Sequence, residues 1–190
     1  MFGAEEVLLP LQRLQQRHDE VAHRDILSFD LYKRLKHMVL HFYKYAGHVE
    51  AARQARDDTA LRRVLVDSLI ICMASANALN LSLGAQIEEQ AEFLDIDALA
   101  NAVAKHVRVG DAYEDALHHL VIIGGRMAKA IESSDHMEDG NPRSEMTRLV
   151  PELAIAMLAV CARTGLGLEG EIRARLAGVE GKSIFARLDN

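Results

Sequence analysis

The sequence predicts an all-α fold, and three observations carry that prediction. Spacings of three and four between apolar residues recur along the 190-residue chain, strand-like alternation is missing, and only three prolines, Pro10, Pro142 and Pro151, interrupt it. With 49% hydrophobic and 26% charged side chains, the composition is that of an ordinary globular protein, expected to form a single domain over 1–190. At this size folding buries roughly 70% of the surface that the unfolded chain exposes, so neither a disulfide nor a metal is needed to hold the core.

A first helix is expected at about 11–27. From Leu31 the series Leu31, Leu35, Met38, Phe42, Ala46 and Val49 paints one face of a second, of about six turns. Further helices are expected at about 59–79, 85–107 (with a break near Asp95), 111–132, 143–164 and 168–177. Asn141 followed by Pro142 reads as an N-cap and first-turn pair.

The apolar runs Val64 to Ala76 and Leu149 to Ala162 are each interrupted by an acid and fall short of the roughly 20 residues of a membrane span. Cys72 and Cys161 lie within apolar helical runs and read as reduced core residues. The N-terminus shows no secretory signal, so a cytoplasmic protein is expected. A formal charge of −6 argues against a nucleic-acid polymer or an anionic membrane as partner. With no Trp, four Tyr and five Phe, a base-stacking platform is not expected either.

The chain also resembles itself. Leu40 to Gly47 can be laid on His118 to Gly125, which pairs His41 with His119, and Leu61 to Leu83 lies on Met146 to Leu168 without a gap. The second alignment pairs Arg63 with Arg148 and Asp67 with Glu152. It also sets Asn80 on Gly165, the two residue types that most readily end a helix in the left-handed conformation. We therefore expect two copies of a helical hairpin, at 30–90 and 108–180, with the extra residues of the second copy in the polar loop Ser133 to Asn141.

Two constellations can carry chemistry. Asp67 and Glu152 are acids within apolar helical runs, and burying a lone carboxylate costs several kcal/mol unless it is paired, protonated or bound to a cation. Lys33, His37, His41, Lys44 and His48 form a basic ridge within an arc of about 80° on the first long helix. Such a ridge can donate hydrogen bonds to phosphate oxygens, and pairs such as His37 and His41 can ligate a transition metal. Tyr43 and Tyr45 flank it and can stack on a base or pack at the helix rim. A phosphate loop, a zinc-spaced Cys pair, HExxH, the ExxH pairs of a di-iron bundle and an evident nucleophile are all missing.

A hairpin whose second helix opens with an acid and ends in an Asn or Gly turn before Leu-x-Leu resembles the MazG-like all-α NTP pyrophosphatases. In that family an ExxE pair and an ExxD pair hold magnesium, which activates water against a nucleoside triphosphate. Members also pair two hairpins into a bundle, by internal duplication or by dimerisation, which leaves a homodimer open here. Laid on this sequence, the four acid positions fall on Tyr45, His48, Val64 and Asp67 in the first copy, and on Ile123, Arg126, Leu149 and Glu152 in the second. One acid of four is kept in each.

Three functional readings follow. In the first, a MazG-like fold binds a nucleotide or related phosphorylated small molecule through His37, His41, Lys44, Tyr45, His48, His119 and Arg126, without the usual magnesium-dependent hydrolysis. In the second, the chain is an active nucleoside triphosphate pyrophosphohydrolase whose divalent metal, magnesium or manganese, sits in a site rebuilt from His41, His48 and Asp67. Asp67 and Glu152 are the candidate metal ligands. In the third, the chain is a non-catalytic helical interaction module in which both acids pair with arginines to fix helix register.

Overall fold

In the computed structural model, which describes residues 1–87, 91–107, 110–136, 138 and 140–182, eight α-helices follow one another. They are α1 (Ala4–Ala22), α2 (Arg24–Leu27), α3 (Leu31–Ala55), α4 (Asp58–Leu79), α5 (Ile96–Val103), α6 (Ala112–Asp135), α7 (Pro142–Thr164) and α8 (Leu168–Glu180). Small polar residues set the starts. Asp30, Asp57, Asp95, Asp111 and Asn141 each accept a hydrogen bond from a backbone N–H in the first turn of the helix that follows. Pro142 occupies the first turn of α7, as its missing N–H favours.

Among the described residues there is no strand, only an antiparallel bridge in which Phe2 and Phe93 exchange backbone hydrogen bonds of 2.8 Å. That bridge corrects the expected helix over 85–107. Phe93 is held in extended pairing, so after a single 3₁₀ turn at Gly84–Gln86 the α-helix begins only when Asp95 caps it. Residues 88–90, 108 and 109 fall outside the described residues, as do 137 and 139 of the loop expected over Ser133 to Asn141, whose first three residues instead continue α6. The first helix also differs, starting at Ala4 with Pro10 inside it and ending at Ala22, because His23 leaves helical geometry at φ −133° and ψ 41°.

The four long helices make the core. α3 packs on α4 and α6, and α7 packs on α6 and α4, closing a four-helix bundle. Phe42, Leu65, Leu120, Met127, Met146, Leu149 and Leu153 fill it, each fully buried. Burial of such a side chain contributes about 1.5–3 kcal/mol. The α3 stripe behaves as its spacing requires, with Leu35, Met38, Phe42, Ala46 and Val49 all buried. Cys72 and Cys161 are free and buried, and burial pushes both thiols well above their ordinary pKa. No single described helix is long and apolar enough to cross a membrane.

Both central hairpins end alike, since Asn80 closes α4 at φ 57° and Gly165 closes α7 at φ 63°. The outer helices then treat the two ends differently. α1 and α8 lie over α4, whereas α5 packs on α7. Gln12, buried on α1, secures the end of α4: its amide donates to Asn77 Oδ1 and to the Leu81 carbonyl, and its oxygen accepts from the Leu83 N–H at 2.8 Å. Gly84 lies directly against the first turn of α1, where a Cβ would overlap Glu5 Cα and sit 2.5 Å from the Ala4 carbonyl oxygen.

Candidate functional site

The long period of α3 sends its apolar stripe into the bundle and its basic ridge toward the groove between α1, α4 and α8. There His37, His41, Lys44, Tyr45 and His48 line one cavity of about 300 Å³ together with Asp67. Five of the seven expected ligand-binding residues and one of the two acids are thus brought together. Lys33, at the start of the ridge, instead faces solvent and pairs with Asp30 at 3.6 Å.

The ridge is internally hydrogen bonded. Lys44 Nζ lies 3.0 Å from His41 Nδ1, and His41 Nε2 lies 3.1 Å from His37 Nε2. An ammonium can only donate, so His41 Nδ1 accepts, its ring proton resides on Nε2, and that N–H donates to His37. The Tyr45 hydroxyl stands 3.3 Å from the same Nδ1, and Lys44 Nζ lies 4.7 Å from the centre of the Tyr45 ring.

Burial, reinforced by Lys44 and the neighbouring imidazoles, lowers the His41 pKa to about 4; burial and Lys44 lower His37 as well. Both rings are therefore neutral at pH 7. Burial also lowers Lys44, against the opposing pull of Asp67, and raises Tyr45. Lys44 makes no ion pair with any carboxylate among the described residues.

Asp67 reaches the cavity from α4 with its side chain 14% exposed, and its two oxygens accept from Arg175 Nε at 2.6 Å and from a terminal guanidinium nitrogen at 2.8 Å. Glu152 lies elsewhere. It accepts a hydrogen bond from Arg126 and stands 3.6 Å from Arg148, with its side chain 39% exposed, beside His119 in a separate shallow groove. The expectation that Glu152 is buried is corrected, and the question of a shared site for the two acids is answered for this structure. Glu152 is not buried, the two acids do not share a pocket, and His119 and Arg126 are not part of the cavity. The physical difference is α8, which covers Asp67 and delivers its arginine, while Glu152 draws its arginines from α6 and from its own helix.

Part of the cavity wall was not anticipated. His18, Asp19 and His23 close it from α1 and the α1–α2 corner, and Arg175 from α8. The signal for α1 lies in its buried stripe, Leu8, Leu11, Gln12, Gln15, His18 and Ala22, where three polar residues take core positions. Arg175 carries no such signal, since one arginine among the charges of an amphipathic helix is unremarked. Burial raises the Asp19 pKa, while a hydrogen bond from Gln15 and the charges of His23 and His18 work against it.

Compared with protein-family models, curated proteins and solved structures, the chain gives no match.

Proposed function

We propose that the chain is a MazG-like helical bundle that binds a nucleotide or related phosphorylated small molecule in the cavity between α1, α3, α4 and α8, without standard magnesium-dependent pyrophosphatase chemistry. The observation that carries this reading is Lys44. It is a cation at a cavity wall with neutral imidazoles beside it and, among the described residues, no carboxylate paired to it, and a phosphate oxygen would supply the missing charge. His37 and His48 would add hydrogen-bond donors, His41 would hold Lys44 and His37 in place, and Tyr45 would offer an aromatic edge. About 300 Å³ suits a small ligand, of nucleoside-monophosphate or sugar-phosphate size.

A metal cage of the family's kind has less support. Arg175 occupies both oxygens of Asp67, Arg126 and Arg148 attend Glu152, and a cation at either acid would have to displace them. Those arginine pairs are what the register-fixing reading asks of the two acids, so that reading stands second. The duplicated-hairpin reading belongs to the same proposal. It is supported by the matching left-handed caps at Asn80 and Gly165.

The test is a thermal-shift panel of nucleotides and phosphorylated sugars in buffer containing a chelator. Stabilisation of the wild type by at least one phosphorylated ligand, lost in Lys44→Ala, is expected. No shift with any anionic ligand would sink the proposal.

A further inference from the structure

The far wall of the cavity holds a second cluster that the phosphate reading does not use. His18, Asp19 and His23 each present one ligand atom, and the three atoms lie within 4.8 Å of one another. On a continuous helix His23 would point well away from His18, because five residues advance by about 500°. The break at His23, with φ −133°, turns the chain and brings the two imidazole centres to 5.3 Å. Asp19 makes no ion pair with Lys or Arg among the described residues; the Arg34 guanidinium acts on its carboxylate only at longer range.

A further contact prepares His18. Its Nδ1 lies 2.9 Å from Glu180 Oε1, and His18 itself is buried at 3% exposure. Donation of the Nδ1 proton to that carboxylate leaves the lone pair on Nε2. This carboxylate–imidazole arrangement is the one by which outer-shell acids orient metal-binding histidines.

We propose that His18, Asp19 and His23 form a binding site for one divalent first-row transition ion of the zinc type, with Glu180 orienting His18. Two imidazole nitrogens and one carboxylate make a borderline donor set that suits such an ion better than magnesium or calcium. Three protein ligands leave a fourth position open for water or a small ligand. Ligands at about 2.1 Å from one tetrahedral ion stand about 3.4 Å apart, so modest side-chain rotation closes the site. This proposal is independent of phosphate binding, which is tested without metal.

The test titrates chelator-treated protein, without nucleotide, with zinc by calorimetry and with cobalt(II) by visible absorption. One ion per chain is expected. His23→Ala, at a helix junction outside the core, should fold normally and lose at least tenfold in affinity, and Glu180→Gln should weaken binding about tenfold. His136→Ala, on the surface of the bundle, should bind as the wild type does. Absence of stoichiometric binding would overturn the proposal. So would an ion that survives His23→Ala and is lost in His37→Ala, which would place it on the α3 ridge.

Discussion

Asp67 and Arg175 are joined by two hydrogen bonds, of 2.6 and 2.8 Å, that tie the middle of α4 to α8. Arg175→Ala leaves the carboxylate at 14% exposure without its partner, and a loss of about 1–3 kcal/mol is expected from urea denaturation. Replacing both residues with leucine should recover most of that loss, because no stranded charge remains. Glu152→Ala serves as the contrast. Its side chain is 39% exposed, and the expected change is about 0.5 kcal/mol or less.

Stability should fall as the solution is acidified from neutrality. The folded chain keeps His41 neutral down to about pH 4, whereas the unfolded chain protonates it near the ordinary value of 6.5. Between those values the unfolded state binds more protons, so this contribution is present in full above 6.5 and is lost as pH falls toward 4. His37 and His119 are shifted in the same direction, and the half-buried carboxyl of Asp19 acts in the opposite one. Around His41 the charges are those of Lys44, His37 and His23, with Asp67 opposing them. Urea midpoints at pH 7 and pH 5 check the sign, and His41→Gln should flatten the difference.

Helix ends offer a backbone test free of packing effects. A Cβ at Gly165 would meet nothing within 4 Å, so Gly165→Ala reports the left-handed conformation alone and should lose about 1 kcal/mol. Arg56 holds the same conformation, at φ 51°, with a side chain that disfavours it. Arg56→Gly should gain about 0.5 kcal/mol, the relief being partly offset by a more disordered unfolded chain. Thermal denaturation of the two variants should therefore move in opposite directions.

Gly84→Ala should be worse than either. Its Cβ would overlap backbone atoms of Glu5 and Ala4, which no side-chain rotation can clear, so α1 must shift. A loss of about 1–3 kcal/mol is expected in denaturation, together with weaker protection of the α1 amides from hydrogen exchange.

Periodicity made the bundle helices legible, because the face that α3 buries is the face its spacing marks. Caps such as Asn141-Pro142 fixed boundaries for the same local reason. Half of the cavity was equally readable, since His37, His41, Lys44 and His48 share a ridge through helix geometry alone. The other half depends on contacts distant in sequence. Nothing near Arg175 indicates that it will meet Asp67, and nothing near His23 indicates that the helix will bend there. The likeness of Asp67 and Glu152 in sequence concealed a difference in covering, which only the placement of α8 decides.

The contact of His18 with Glu180 closes the cavity between helices that the ribosome makes at very different times. While α3 and α4 emerge, Arg175 is not yet made and Asp67 lacks its partner. The bundle core can condense as α7 is completed, and α1 is already made by then, yet the pocket stays open on the side of Arg175 until α8 follows. The cavity is therefore completed only after the hydrophobic core it rests on.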